Sequence, residues 1–316
     1  MSAAEREIPV GVVGVGHLGR HHARLYAELP GARLVAVADR DMELARQVAA
    51  KYDCDAYDDG RELIGKVEAA SVAVPTEAHA EVGEALLSAE IDVLIEKPIA
   101  STLAQADSIN ATAERSGRLV MVGHSERFHP AIVALAGQVR APRFFEIHRL
   151  AAFSARSTDI DVVLDLMIHD LDLLLHLDGT EPRSVEAVGV RALTDRMDIA
   201  NARISFASGC VANLTASRIS VEAVRRVRVF QERTYLACDT ARGELERYSL
   251  VTDVGDTPRI VRERIAVEDA EPLALELAAF LRAVRSRVTP QVDGLQGRRV
   301  LELAYRVRDA IETGQV

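Results

Sequence analysis

Four polar side chains recur at helical spacing inside a largely apolar stretch, and their types suit proton transfer. They are Asp165, His169, Asp172 and His176, at successive offsets of four, three and four residues. At ~100° per residue these offsets place all four within roughly 60° of one another on a helix. The other residues of 162–177 are mostly Leu, Ile, Val and Met, which predicts a buried helix whose narrow polar face lines a cleft.

His169 is the candidate proton acceptor on this face. Asp165 precedes it by one helical turn and could hold the imidazole ring in one tautomer, which would leave the other ring nitrogen to take a proton. The alternative is an ordinary solvated face, although such faces usually carry Lys, Glu and Arg. Metal binding by the same side chains is a further alternative, but the sequence has no HExxH-type pattern. We therefore predict an acid–base pair and no metal.

Glu96-Lys97-Pro98 is the second candidate for chemistry. It follows a predicted apolar strand, and the ligands of open α/β sheets bind outside the carboxyl ends of the strands. An ammonium group at this point could orient a substrate hydroxyl or take its proton. A solvated charge pair is the alternative, but the proline fixes the backbone here and the strand before it is apolar.

A glycine-rich turn supplies the third candidate. The run Gly14-Val15-Gly16-His17-Leu18-Gly19 follows the apolar run 8–13 and opens a predicted helix, and Asp39 ends the next predicted strand. This arrangement is typical of dinucleotide binding, with the helix N-terminus facing the pyrophosphate. Asp39 favours NAD over NADP, because a carboxylate accepts hydrogen bonds from ribose hydroxyls and repels a 2′-phosphate. Arg40 beside it weakens that preference, and a Rossmann-like domain without nucleotide is the alternative.

We predict NAD as the cofactor. The residues predicted to contact it are Gly14, Gly16, His17, Leu18, Gly19, Asp39, Arg40, Pro75, Thr76, His79, Glu96 and Lys97.

The elements that must position these residues fall into two halves. Strand and helix patterns alternate up to about residue 124, which predicts a doubly wound parallel sheet of the Rossmann type with helices on both faces. Five strand patterns between 184 and 239 follow one another without helices, which predicts an open, largely antiparallel sheet with one solvated or partner-covered face. Two helices, 271–287 and 296–312, close the chain. We predict an α/β protein with an NAD-binding domain at 1–124 and a substrate-binding and oligomerisation domain at 125–316.

Composition limits the possible partners and compartment. The 316 residues are 48% hydrophobic and carry a net charge of −10, which disfavours general nucleic-acid binding. No run approaches the ~20 apolar residues of a membrane span, and the N-terminus lacks a secretory pattern. Three scattered cysteines indicate neither a disulfide framework nor a zinc site. We therefore predict a cytoplasmic protein that binds neither membrane nor nucleic acid.

A local reversal of charge in the second half suits an anionic ligand. The stretch 140–156 holds four arginines, one histidine and a single acid. Guanidinium groups bind phosphate oxygens in pairs, so a sugar diphosphate would fit such residues. Scattered surface arginines are the alternative for any one of them.

Taken together, the glycine run, Glu96-Lys97-Pro98 and the Asp165-x-x-x-His169 pair resemble the Gfo/Idh/MocA oxidoreductase family along essentially the whole chain. The resemblance implies a Rossmann domain and a C-terminal α/β domain whose open sheet often forms a homodimer or homotetramer. It also implies hydride transfer between a nicotinamide cofactor and a sugar or cyclitol. By the motif match, Lys97 and His169 are the catalytic residues and Asp165 supports them.

A narrower resemblance concerns the substrate. The runs 122–128, 148–150 and 158–170 are similar to those of family members that oxidise the 3-hydroxyl of UDP-N-acetylglucosamine to a ketone. Amination of that ketone gives the 3-amino sugar of amide-linked lipid A. One departure is His129, which stands where asparagine is expected before Pro130. The residues that this resemblance assigns to the substrate are Arg127, Arg149, Arg156 and Asp170.

Two other functions stay open from the sequence. One is a dehydrogenase of a different sugar, a uronate or a cyclitol, although the arginine-rich second half disfavours a neutral substrate. The other is a regulator that senses NAD without catalysis. The presence of both Lys97 and His169 disfavours a regulator, since a sensor needs the cofactor site but no proton acceptor.

Overall fold

A computed structural model describes residues 6–153, 160–252 and 257–314. The chain forms two compact units. The first runs to Ser125 and also includes Glu271–Leu301, and the second comprises Glu126–Ala270 and the chain from Glu302 onward. The sequence-based division placed 271–301 in the C-terminal domain. In the structure this segment packs with the first unit, where the main chain of Val122 donates a 2.9 Å hydrogen bond to the carbonyl of Val292.

The first unit is built on a six-stranded parallel sheet. Its strands are β1 (Ile8–Val13), β2 (Ala32–Ala38), β3 (Asp55–Tyr57), β4 (Ala69–Val72), β5 (Asp92–Glu96) and β6 (Val120–Gly123). Their order is β3-β2-β1-β4-β5-β6, the order of dinucleotide-binding sheets. The central strands are buried on both faces, as expected for a parallel sheet covered by helices. This confirms the predicted doubly wound Rossmann sheet, except that β3 was not predicted.

Helices with clear end signals connect these strands. They are α1 (Gly19–Glu28), α2 (Met42–Tyr52), α3 (His79–Ser88) and α4 (Leu103–Ser116). The side chain of Asp41 caps α2 by accepting from the main chain of Glu43 and Leu44. Gly117 ends α4 in the left-handed conformation at φ +63°. Such caps fix where these helices begin and end.

The second unit contains an eight-stranded sheet. Its strands are β7 (Phe144–Leu150), β8 (Pro182–Val190), β9 (Ile199–Phe206), β10 (Val211–Ser217), β11 (Val224–Gln231), β12 (Thr234–Asp239), β13 (Glu244–Val251) and β14 (Arg259–Ile265). Their order is β14-β13-β12-β11-β7-β10-β9-β8, and every neighbouring pair is antiparallel except β7 with β10. This confirms the predicted open and largely antiparallel sheet, although β7, β13 and β14 were not predicted.

The helical parts of the second half depart from the prediction at one point. Helix α5 spans Pro130–Ala136, and the segment predicted as one regular helix is a π-helical turn at Val163–Met167 followed by α6 (Ile168–Asp178). Two further helices are α7 (Pro272–Ser286) and α8 (Gly294–Thr313). A π turn has more residues per turn than an α-helix, so the angular spacing used for the polar face does not hold across 163–168. Among the described residues, no helix is both long and apolar enough to cross a membrane.

Candidate active site

In the glycine-rich turn of the first unit, the main chain is accessible for close contact with a ligand. Gly14 has φ +84°, and a Cβ atom there would lie 2.6 Å from the carbonyl oxygen of Ala73. A Cβ at Gly19 would collide with the carbonyl of Gly14, which explains why α1 can start so close to β1. Gly16, in contrast, has open space around its Cβ position. The three glycines therefore have the roles expected for a turn that holds a pyrophosphate.

Asp39 fixes this turn from the end of β2. Its Oδ2 accepts a 2.8 Å hydrogen bond from the main chain of Val15, and its Oδ1 accepts one of 2.9 Å from the main chain of Asp41. The carboxylate is half-buried, so it keeps acceptor capacity for ribose hydroxyls. His17, Leu18 and Arg40, also predicted as cofactor contacts, are exposed around it. The turn and the carboxylate together fit NAD.

We expect Asp39→Ala to weaken NAD binding by about 10- to 100-fold, because a charged acceptor for the ribose is lost. NADP should lose less, because the repulsion of its 2′-phosphate is removed with the carboxylate. The measurement is a fluorescence titration of NADH and NADPH with each protein. Asp39→Asn, which keeps an oxygen for the main chain of Val15, separates ribose binding from support of the turn. An unchanged preference between the two cofactors would contradict the assignment.

His79 and the residues before it lie at the edge of this site. The ring nitrogens of His79 are 2.9 Å from the carbonyl of Pro98 and 3.0 Å from that of Val74, and the side chain is buried. Burial holds the pKa of His79 below its ordinary value. The ring thus joins the chain after β4 to the chain after β5, and we revise its predicted role from cofactor contact to structural support. Pro75 is exposed and Thr76 half-buried nearby in sequence.

Glu96 and Lys97 have different surroundings at the end of β5. The Glu96 carboxylate is 8% exposed and lies 2.9 Å from Nε2 of His22, so it points into the unit and its predicted cofactor contact is revised as well. Lys97 is half-buried and its peptide bond to Pro98 is cis. Only three of the 38 Lys and Arg residues are lysines, and of these three only Lys97 directly follows a buried strand.

Arg149 in the second unit lies in a buried cluster of charges. Its guanidinium, on β7, donates to both carboxylate oxygens of Asp170 on α6 at 2.7–3.0 Å, and to Glu126 at 3.1 Å. Burial would lower the pKa of Arg149, but the two carboxylates outweigh it and raise that pKa. Arg225, 57% exposed at its side chain, lies 3.6 Å from the same Glu126 oxygen.

Arg127 has a similar partner. Its guanidinium makes a two-point ion pair with Asp172, through a 2.9 Å bond from Nε and a shorter one from Nη2. Both side chains are almost completely buried. Because these two arginines and Asp170 are already paired inside the unit, we revise their predicted substrate contacts to a role in holding α6. Arg156, the remaining predicted substrate residue, lies outside the described residues.

The four polar residues of the original helical face do not share one environment. Asp165 lies in the π turn and His169 is the second residue of α6, and both are half-buried. Asp172 is fully buried in its ion pair, whereas His176 is exposed. The predicted continuous cleft face is therefore wrong for its last two members. Within the described residues, no group of three His, Cys, Asp or Glu side chains is arranged to hold a metal ion.

Two family models match this chain. The NAD-binding Rossmann domain of the oxidoreductase family matches residues 8–124, and the GFO/IDH/MocA C-terminal domain matches residues 132–237. The chain belongs to the Gfo/Idh/MocA oxidoreductase family. Membership confirms the resemblance, the cofactor NAD and the class of enzyme, a dehydrogenase acting on a carbon that bears a hydroxyl group.

Relatives within this family differ in how much of the chain they share. UDP-N-acetylglucosamine 3-dehydrogenase from Acidithiobacillus ferrooxidans is 42% identical over 305 residues, 96% of each chain. Its solved structure has a TM-score of 0.91 at 40% identity and covers 97% of this chain and 98% of that one. Inositol 2-dehydrogenase from Rubrobacter xylanophilus is 39% identical over 182 residues, 54% of this chain and 52% of that protein.

Proposed function

We propose that this protein oxidises the 3-hydroxyl of UDP-N-acetylglucosamine to a ketone with NAD. The end-to-end similarity to the dehydrogenase of Acidithiobacillus ferrooxidans carries this proposal, because it extends through both units at 42% identity. Inositol dehydrogenases match either about half of the chain, as that of Rubrobacter xylanophilus does, or nearly all of it at 26% identity, as that of Rhizobium meliloti does. A nucleotide sugar is therefore favoured over a free cyclitol.

Lys97 and His169 divide the chemistry of the alcohol. NAD, when bound, accepts the hydride from the carbon that carries the hydroxyl. We assign the hydroxyl proton to His169, because a histidine of ordinary pKa ~6.5 is mostly neutral at pH 7. The Lys97 ammonium stabilises the negative charge that develops on the oxygen. Asp165 orients the imidazole, and the opposite division of roles between Lys97 and His169 is tested by the pH profiles of their variants.

The buried ion pairs of the second unit position the helix that carries His169. Asp170 and Asp172 follow it on α6 and are bound by Arg149 and Arg127 respectively. These bonds anchor the first two turns of α6 to β7 and to the turn before α5. A base held this way loses little orientational freedom when the substrate binds.

We expect His169→Ala to lower kcat by about 10²- to 10⁴-fold, the usual contribution of a general base. Asp165→Asn should cost less, because it disturbs orientation and leaves the proton acceptor in place. Steady-state kinetics across pH 6–10 at saturating NAD would measure both. An equal loss in both variants would indicate a coupled pair or a shared metal instead of a base and its support.

The test of the substrate needs a trap, since oxidation of an alcohol by NAD is uphill at neutral pH. The protein is mixed with NAD, UDP-N-acetylglucosamine and a glutamate-dependent aminotransferase that consumes the ketone, and NADH is followed at its absorbance maximum. NADH formation that depends on the trap supports the proposal. A flat trace from protein that binds NAD, with turnover of a uronate or cyclitol, would contradict it. Binding of NAD with no turnover of any of these would favour a regulator.

We also propose that a second copy of the chain covers one face of the eight-stranded sheet. On this face the rings of Phe230, Tyr235 and Tyr248 stack at 4.8 and 5.2 Å, and Arg228 and Arg262 pair with glutamates beside them. A cavity of about 280 Å³ lies among these side chains. Alternating arginine and glutamate is self-complementary, as a two-fold interface requires.

The assembly is tested by light scattering after gel filtration. We expect a dimer or tetramer, and we expect Arg228→Glu combined with Tyr235→Arg to shift it to the monomer. Arg46→Glu is the matched charge control, because Arg46 is an exposed residue of α2. A monomeric wild type at micromolar concentration would contradict the proposal.

We place the protein in the cytoplasm, where the three cysteines, none of which forms a disulfide, stay reduced.

A further inference from the structure

A chain of four buried side chains leads from the core of the first unit to the residue before Lys97. Tyr26 Oη lies 2.9 Å from Ser71 Oγ, Ser71 Oγ lies 3.0 Å from His22 Nδ1, and His22 Nε2 lies 2.9 Å from Glu96 Oε1. Tyr26, Ser71 and His22 have no exposed surface. Tyr26 and His22 belong to α1 and Ser71 to β4, so the bonds alternate between this helix and the sheet and end at Glu96 on β5.

With an uncharged His22 ring, the hydrogen-bonding capacity of these groups gives every bond a direction. A carboxylate only accepts, so His22 Nε2 must donate to Glu96. A neutral His22 then accepts at Nδ1 from the hydroxyl of Ser71. Ser71 has a single hydrogen, so Tyr26 donates to Ser71. All donors are satisfied with an uncharged ring, and each bond polarises the next toward the carboxylate.

Glu96 is held as an anion at a place where burial opposes its charge. Burial alone would raise the pKa of Glu96, but the hydrogen bond from His22 and the charge of Lys97 lower it overall. The ionisable groups that face it are His22 from α1, His79 from α3 and Lys97. Its other oxygen, Oε2, accepts a 3.3 Å bond from the main chain of Lys97. Gly123 on β6 leaves room for it, since a Cβ there would lie 3.0 Å from Oε2.

We propose that His22 and Glu96 are positioning residues for Lys97: the chain from Tyr26 holds the Glu96 carboxylate ionised and oriented, and this fixed negative charge keeps the Lys97 ammonium charged and in place for the alcohol oxidation. The inference rests on the catalytic role proposed for Lys97. It assigns a function to His22, which does not belong to any motif of the sequence analysis.

The first experiment reads the charge of Lys97 without turnover. The full-length protein is reductively methylated with ¹³C-formaldehyde, and the lysine signals are titrated by NMR. The chain has only three lysines, and Lys51→Arg and Lys66→Arg assign the other two. We expect Glu96→Gln to lower the titration midpoint of the Lys97 signal by about one pH unit, because an opposite charge beside it is removed. Glu114→Gln, exposed on α4, is the matched control and should leave the midpoint unchanged.

The second experiment separates His22 from a merely structural residue. His22→Leu removes the donor to Glu96, whereas His22→Gln keeps an N–H group that can reach it. We expect the leucine variant to lose about 10-fold in kcat, to move the alkaline limb of the pH profile to lower pH, and to change the affinity for NAD by less than about threefold. The glutamine variant should recover most of the kcat and the position of that limb.

The proposal would be overturned if the NMR titration midpoint of Lys97 were unchanged in folded Glu96→Gln. It would also be overturned if His22→Leu and His22→Gln lost kcat equally and neither shifted the pH profile. If Glu96→Gln does not fold, Tyr26→Phe takes its place, because it removes one hydroxyl and keeps the ring. A Lys97 midpoint that this variant leaves unmoved also overturns the proposal. A wild type that fails the aminotransferase-coupled assay rejects the proposed substrate, while the NMR titration still tests the positioning of Lys97.

Discussion

Lys97→Met is expected to lower kcat by about 10³-fold while leaving the affinity for NAD within about threefold of wild type. The methionine side chain has a similar length but carries no charge and no N–H donor. The oxygen that becomes negative during hydride transfer therefore loses its stabilising cation, and removing one such donor typically costs 10²- to 10³-fold. Because the glycine-rich turn and Asp39 are untouched, cofactor binding should survive.

The matched control is Lys66→Met, the same change at a surface lysine whose ammonium lies 4.9 Å from the ring of Tyr57. It should keep wild-type kcat. Turnover and NADH binding are measured on both proteins with UDP-N-acetylglucosamine and the coupled aminotransferase. Near-normal kcat in Lys97→Met would show that the reaction does not need this ammonium. A loss that appears only in KM would move Lys97 from catalysis to substrate binding.

Asp172→Ala should destabilise the protein by about 3–5 kcal/mol. The substitution leaves the buried guanidinium of Arg127 without its two-point carboxylate partner, and removing one member of a buried pair costs far more than the pair contributes. Urea denaturation of the variant and of the wild type gives the change in the free energy of unfolding. Asp107→Ala is the control, because its pair with Arg298 is partly exposed and should matter by less than about 1 kcal/mol.

The double variant Arg127→Met with Asp172→Leu tests the reason for that loss. If the uncompensated charge is the cause, two apolar side chains of similar size should restore most of the stability. A double variant as unstable as Asp172→Ala would instead show that the ion pair itself holds α6 in place. Catalysis separates the two roles further, since a stable double variant with low kcat would mean that the pair positions His169.

The sequence predicts the first unit well because its signals are local. A glycine whose Cβ would strike Ala73, and an aspartate that binds the turn after β1, are specified by a few neighbouring residues. Buried parallel strands also read as continuous apolar runs. Strand β3 escapes this logic because it has only three residues, of which none is buried.

The second unit is harder because its signals are distant or mixed. Strands β13 and β14 mix charged and apolar residues without a regular alternation, and their charges are paired across the sheet, as Glu246 is with Arg262. The partners of Arg127 and Arg149 lie 45 and 21 residues away, which no spacing rule reveals. The predicted polar helix face assumed a uniform 100° per residue, and the π turn at 163–167 breaks that assumption.

The return of residues 271–301 to the first unit has a consequence for synthesis of the chain on the ribosome. At the outer edge of the Rossmann sheet, the main chain of Val122 on β6 donates a hydrogen bond to the carbonyl of Val292. That residue is translated only after the whole of the eight-stranded sheet. A nascent chain that stops at Ser125 would expose the β6 edge and lack α7, and open strand edges promote aggregation. The cofactor unit is thus begun first but completed only after the eight-stranded sheet has been made, and an isolated 1–125 fragment is a poor choice for expression.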